Sequence, residues 1–230
     1  MTTRVQKTSE DWWATSIIDM KPGSIRFRGY AIEDLIGRIG FAEMVWLLTR
    51  GELPHPAAAK LLEAALVSAV DHGPQAPSIA AARMAITCGV GINNAMANAA
   101  NMLGDVHGGA GEQCVSLFNA IAARMGEKSS GIAEAVTLEM NALAQQGVTH
   151  VPGFGHRFHP LDPRAPRLLE LVDEAAKTGA VSGRFAAIGR TVEAELEKRK
   201  KRRIPMNIDG ATGVVYAELG FPPPLCRGLI

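Results

Sequence analysis

The sequence predicts an all-α protein, on three observations. Apolar residues recur at helical spacing along most of the chain. Strand signal is thin, and no regular alternation of strand and helix points to a parallel sheet. Glycine and proline gather in four clusters, and each cluster joins two helical stretches.

The elements are read in chain order. Residues 1–11 are polar, carry both charge signs and lack the apolar run of a signal peptide. Residues 24–27, next to Arg28-Gly29-Tyr30, are the one candidate for a short ribbon. Phe41, Met44, Val45 and Leu48 mark one helix face, which Gly51 ends before Pro54 and Pro56. Residues 57–70 form a second helix with Leu62, Leu66, Ala69 and Val70 on one side. A third opens over 77–84. Residues 94–103 are rich in Ala with Asn and Met, and small residues allow close helix approach, which places this segment in the interior or at an interface. Further helices cover 113–125, 132–146, 163–177 and 183–203. No repeat of fixed period is present.

Composition narrows the function classes. The chain has 230 residues, 47% of them hydrophobic, enough for one large domain with or without a small satellite. Its 24 Lys and Arg nearly balance 23 Asp and Glu, which argues against coating nucleic acid or an anionic membrane. Aromatics at 5% offer bases few stacking platforms. Cys88, Cys114 and Cys226 have no zinc or redox spacing and read as reduced thiols of a cytoplasmic protein. The most apolar stretch, 56–70, is broken by Lys60 and Glu63, so no membrane span is expected.

The Gly/Pro clusters are 71–78, 104–111, 151–164 and 207–213, and five of the six histidines lie in or beside them. In the second, Val106-His107-Gly108-Gly109-Ala110 stands between two helices. Its glycines let backbone N–H groups approach a ligand, and the next helix N-terminus favours negative charge; a tight interhelical turn is the plainer alternative. In the third, Gly153-Phe154-Gly155 precedes His156, a candidate acid or base near neutral pH. Arg164 follows, with a planar fork suited to a carboxylate. His156 and His159 stand three apart, but with no Cys and no second His pair no metal is expected. In the fourth, Asp209 is either a helix N-cap or a desolvated base with a raised pKa. His72, in Asp71-His72-Gly73-Pro74, fits a helix stop by itself. Six basic residues run from Lys198 to Arg203 at a helix end. The helix dipole accounts for some of them, and a phosphate-rich ligand or nucleic acid for the rest.

In this order the loops resemble the citrate synthase superfamily. Val106-His107-Gly108-Gly109-Ala110 is similar to that family's central His-Gly-Gly-Ala loop. Gly153-Phe154-Gly155-His156-Arg157 with Asp162-Pro163-Arg164 is similar to its second histidine loop, and Asn207-Ile208-Asp209 to its catalytic aspartate segment. Arg28-Gly29-Tyr30 with 32–35, and Gly51-Glu52-Leu53-Pro54, resemble earlier landmarks. The resemblance covers roughly 25–230 and implies the multi-helical citrate synthase fold. Residues 1–24 would then be an N-terminal arm, and about 115–205 a smaller coenzyme A-side subdomain. Asp71-His72-Gly73-Pro74, and Gly210 where typical synthases carry an aromatic, look like citryl-CoA lyases and the lyase module of ATP citrate lyase. Citrate synthase, 2-methylcitrate synthase and an impaired CoA-binding homologue are the alternatives.

The resemblance also implies roles. His107 would hydrogen-bond the thioester oxygen, His156 would exchange the oxaloacetate or citryl oxygen proton, and Asp209 the proton on carbon. His72 and Arg164 would bind substrate carboxylates. Gly153, Phe154 and Gly155, with Lys200, Lys201 and Arg202, would hold coenzyme A. The reactants are citryl-CoA, acetyl-CoA and oxaloacetate, with no tightly bound cofactor and no metal. The expected partners are further copies of the chain and an enzyme that makes citryl-CoA, with neither membrane nor nucleic acid. Family members continue into a helix bearing a substrate-binding arginine, which would develop just beyond Ile230. Arg227 does not occupy that place, so the role is not carried to it.

Overall fold

The computed structural model describes residues 8–128, 131–156 and 159–229. Among them are twelve helices and one three-stranded antiparallel sheet, so the helical expectation holds with a small sheet added. The chain divides into two compact units, residues 1–59 and 60–230.

The first unit opens with helix α1 (Ser9–Trp13). The Thr8 hydroxyl accepts from Asp11 N at 3.1 Å and the Asp11 carboxylate accepts from Thr8 N at 2.9 Å. This reciprocal cap satisfies two helix-end donors. Strands β1 (Ile18–Lys21) and β2 (Ser24–Phe27) pair from Ile18↔Phe27 to Lys21↔Ser24. Strand β3 (Tyr30–Ala31) returns through Arg28 and Gly29, both left-handed at φ 50° and 89°. The side chain of Arg28 holds that turn: Nη2 donates to Leu48 O at 2.7 Å and Nη1 to Ser16 Oγ at 2.7 Å. Strand β1 gave no sequence signal because three of its four residues are exposed. Helix α2 (Ile32–Leu35) and helix α3 (Phe41–Arg50) follow, the latter ended by Gly51 at φ 92°. Leu35, Ala42, Leu47, Ala58 and Ala59 are buried here.

Helix α4 (Pro56–Ser68) carries the chain into the second unit. Helices α5 (Pro77–Thr87) and α6 (Ile92–Asn101) pack on one another, and Ala95 is the one residue of the pair that is buried. The small-residue segment is therefore not interior in the single chain. The body comprises α7 (Ala110–Lys128), α8 (Ile132–Gln145), α9 (Arg164–Lys177), α10 (Arg184–Lys200), α11 (Ile208–Glu218) and α12 (Pro223–Arg227). Helix α11 is its centre. It packs against α7, α9 and α10, with Val214, Val215 and Tyr216 fully buried. A helix that is apolar all round requires such enclosure. Its end is tied to the start of α10, where the Glu218 carboxylate accepts from Gly183 N at 3.0 Å and Phe185 N at 2.7 Å.

One expectation is corrected. The glycine cluster 207–213 is not a loop: α11 starts at Ile208, capped by Asn207, whose side chain accepts from Gly210 N at 3.2 Å. Its glycines serve contact instead. A Cβ on Gly210 would collide with Gly153 O, and one on Gly213 would lie 2.8 Å from Cys114 Cβ.

Candidate active site

Two of the singled-out segments are joined by backbone bonds. Gly155 N donates to Pro205 O at 2.7 Å, Asn207 N to Gly153 O at 2.9 Å, and Asn207 Nδ2 to Gly155 O at 2.7 Å. Phe154 and Met206 form an antiparallel bridge. The join needs Gly153, which is left-handed at φ 80°; a Cβ there would overlap Cys114 Sγ and sit 2.7 Å from Gly210 Cα. These bonds bring the His156 segment against the N-terminus of α11, where Asp209 sits in the first turn. Arg157, quoted with this motif, lies outside the described residues.

Asp162 fastens a third piece. It is 1% exposed, and its Oδ1 accepts from Arg164 Nε at 2.9 Å and Arg164 N at 3.1 Å. Its Oδ2 accepts from Arg164 Nη2 at 2.9 Å and from Ile208 N at 3.2 Å. Burial pushes this carboxyl up, but the bonds and charge of Arg164 and the bond from Ile208 outweigh it, so the net is downward. One ionised carboxylate thus orients the guanidinium and the helix start beside Asp209. Arg164 Nη1 also donates to Ser68 O at 3.3 Å.

His107 is reached from another direction. Gly104 N donates to His107 O at 2.7 Å, closing the loop, and Gly108 is left-handed at φ 86°. The backbone N–H of Ser78 donates to His107 Nε2 at 3.2 Å. That bond assigns the neutral ring its proton on Nδ1, which makes Nδ1–H the donor of the ring. His107 lines a cavity of about 410 Å³ with His72, Asp71, Ser78 and Asp209.

Asp209 is the charge at the centre. Burial pushes its carboxyl up; His72 and Arg164 pull it down, Asp162 adds to the rise, and His156 lowers it, with the net upward. A carboxyl so placed exchanges a proton nearer neutral pH than a solvated one. The interactions with His72, Arg164 and His156 gather four of the expected residues at one place, although Arg164 and His156 do not line the His107 cavity. His156 has its own constraint: His159 N donates to its Nδ1 at 3.1 Å.

A second cavity of about 530 Å³ is lined by Phe154, Gly155, His156, His150, Lys200 and Arg202, among others. The basic run divides around it. Arg199 is committed to Glu195 at 2.7 Å and Asn141 at 2.9 Å, and Lys198 lies 3.8 Å from Glu195. Lys201 turns the chain out of α10 in the left-handed region and does not line the cavity; nor does Gly153. Among the described residues, Lys200 and Arg202 are the lysine and arginine that line it. Among the described residues no three His, Cys, Asp or Glu side chains are grouped to hold a metal ion, and no helix is long and apolar enough to cross a membrane.

Sequence reasoning assigned no role to Asp162, Ser78 or His150. Asp162 carried a signal, two residues before an arginine marked for carboxylate binding. Ser78 carried none, because it acts through its backbone N–H.

Comparison with known proteins places the fold. The structure of citryl-CoA lyase from Hydrogenobacter thermophilus superposes with a TM-score of 0.80 at 30% identity, over 94% of this chain and 80% of that one. ATP citrate lyase from Methanothrix soehngenii, solved with citrate and coenzyme A, shares the fold with a TM-score of 0.77 at 21% identity, over 94% of this chain and 33% of that one. The glyoxysomal citrate synthase of Cucurbita maxima is 28% identical over 187 residues, which is 76% of this chain and 32% of that protein. The family model "Citrate synthase, C-terminal domain" matches residues 5–60 and 54–229. With nearly the whole chain matched by that model, the protein belongs to the citrate synthase family.

Proposed function

We propose that this protein is a citryl-CoA lyase, cleaving citryl-CoA to acetyl-CoA and oxaloacetate by a retro-Claisen reaction. The observation that carries this reading is the half-buried Asp209, its carboxyl raised, facing the cavity that His107 lines. Cleavage breaks a C–C bond and moves negative charge onto the thioester oxygen. His107, protonated on Nδ1, donates to that oxygen; a preorganised donor of this kind is typically worth about 3 kcal/mol. Protonated Asp209 delivers a proton to the acetyl carbon. His156 exchanges the proton of the tertiary hydroxyl. His72 and Arg164 bind carboxylates, and Arg164 is oriented for this by Asp162. Lys200 and Arg202, with Phe154 and Gly155, hold coenzyme A in the second cavity. The likeness to the Hydrogenobacter lyase supports the lyase assignment.

One observation favours a second reading, a citrate synthase or 2-methylcitrate synthase. The bond from His159 N to His156 Nδ1 selects the ring form protonated on Nε2, which is a donor. A donor there suits condensation, where the oxaloacetate carbonyl takes up a proton. A synthase also hydrolyses the citryl thioester, so products separate the two. Purified citryl-CoA is incubated with the protein; oxaloacetate is followed by NADH oxidation through malate dehydrogenase, and free thiol by a colorimetric reagent. Oxaloacetate without free thiol is the expected result. Free coenzyme A with citrate would establish the synthase, and neither product would overturn both.

A further inference from the structure

Arg227 ends α12 and reaches the His107 loop from both sides. Its Nη2 donates to Asp105 Oδ1 at 2.7 Å, and its Nε lies 2.6 Å from Glu112 Oε2. The second contact is an ion pair. Asp105 stands two residues before His107, and Glu112 lies in the first turn of α7, just after the loop. One guanidinium thus bridges the two ends of the segment that carries the histidine. We infer that Arg227 is a positioning residue, which holds His107 by clamping Asp105 to Glu112.

The loop is stiff enough to transmit such a clamp. Besides the Gly104–His107 bond, Gln113 Nε2 donates to Asp105 O at 3.0 Å. A Cβ on Gly109 would lie 2.7 Å from Asp105 O and 2.8 Å from Asp105 Cα, so the chain folds directly over Asp105. A shift of Asp105 therefore moves His107. The ring's contact with Ser78 N is 3.2 Å long and does not fix it alone. Without Arg227, two carboxylates gathered at one guanidinium would repel and open the loop. Asp105 is 82% exposed, and exposed ion pairs contribute little stability, so the clamp acts on orientation. Sequence alone does not show it, since 122 positions separate the partners.

The inference rests on the donor role proposed for His107, and its test distinguishes the two. The full chain is labelled with ¹⁵N-histidine, and the His107 nitrogens, assigned with H107Q, are read by two-bond ¹H–¹⁵N correlation. The parent protein is expected to show His107 protonated on Nδ1. R227Q is expected to move His107 toward the mixed tautomers of a free imidazole, with R227K restoring part of the signal. In turnover of citryl-CoA, R227Q is expected to lower kcat about 10-fold with KM changed less than about twofold, since small misplacement of a catalytic group falls on the chemical step. If R227Q does not fold, D105N, at the exposed arm of the clamp, is expected to give the same His107 shift. Unchanged His107 signals in the folded variants overturn the inference. A shifted His107 in a protein whose parent has no turnover leaves the clamp standing and overturns the proposed function instead.

Discussion

Asp209 occupies the first turn of α11 with its carboxyl raised by burial. In the cleavage we propose, it delivers a proton to carbon, and so acts in its protonated form. The pH profile of kcat for citryl-CoA cleavage is therefore expected to fall as pH rises through its pKa, and D209N is expected to lose about 10²–10⁴-fold in rate. Coenzyme A affinity by calorimetry is expected to stay within about threefold, because the cations proposed to hold it are Lys200 and Arg202. Turnover undiminished in D209N would remove Asp209 from the chemistry. The same carboxyl enters stability with a definite sign. Its native pKa lies above the ordinary 3.8, so the folded state holds the proton more tightly than the unfolded chain. Stability contributed by this group is present at low pH and is lost as pH rises from 3.8 through the native value. Gly153 is the other single position on which the site depends. G153A forces a side chain onto Cys114 and Gly210 at a left-handed residue. We expect a loss of about 1–3 kcal/mol in urea unfolding, the range for overpacked cores; a loss under about 0.5 kcal/mol would mean the join between the two segments yields easily.

At the scale of elements, Asp162 links the residues after the His156 segment to the start of α11. Removing its charge in D162N frees the Arg164 fork and weakens the bond to Ile208 N. We expect about 2 kcal/mol lost at pH 7, the order for a buried acceptor of charged bonds, and a raised KM for the carboxylate substrate with a smaller change in kcat. The native pKa of Asp162 lies below 3.8, so its contribution is present above that pH and is lost as pH falls through the native value. The gap between parent and D162N in urea unfolding should narrow on acidification; a constant gap would show that the charge does not matter. How far these elements were legible follows from what carries each signal. Helix α3 was plain from Phe41, Met44, Val45 and Leu48 with Gly51 behind them, since an amphipathic stripe and a stop are written in residue types. Helix α11 was hidden because Gly210, Thr212 and Gly213 lower helix propensity, and enclosure by α7, α9 and α10 overrides it. The segments of His107 and His156 were marked in the sequence by their glycines, whereas Asp209, expected in a loop, stands in the first turn of α11. The backbone bond from Ser78 and the clamp from Arg227 were not legible, because both depend on chain segments far apart in sequence.

At the scale of the whole molecule, the hairpin of α5 and α6 is the part least explained by a single chain. Met84, Ile92 and Met96 are 69%, 74% and 67% exposed, and Ala95 alone is buried across both helices. Two packed helices with one buried residue do not hold themselves together in water; their stability must come from a further surface. The alanines of α6 offer a face on which another helix can lie close. A second copy of the hairpin would supply that surface in kind. The face also reaches the candidate site: Ala99 and Ala100 of α6, with Leu103 and Val106, line the same cavity as His107 and Asp209. Covering α6 would therefore exclude water from the cavity in which the proposed cleavage develops charge, and exclusion would strengthen the donor proposed at His107. We expect light scattering on gel filtration to give twice the 24.4 kDa chain mass at micromolar concentration. The double variant I92D/M96D is expected to elute as a monomer and to lose turnover, although neither residue lines the cavity. A parent protein that is monomeric and fully active would show that the hairpin stands without a partner and that the cavity is complete in one chain. A monomeric variant with turnover unchanged would separate assembly from chemistry, and would confine the role of the hairpin to holding copies together.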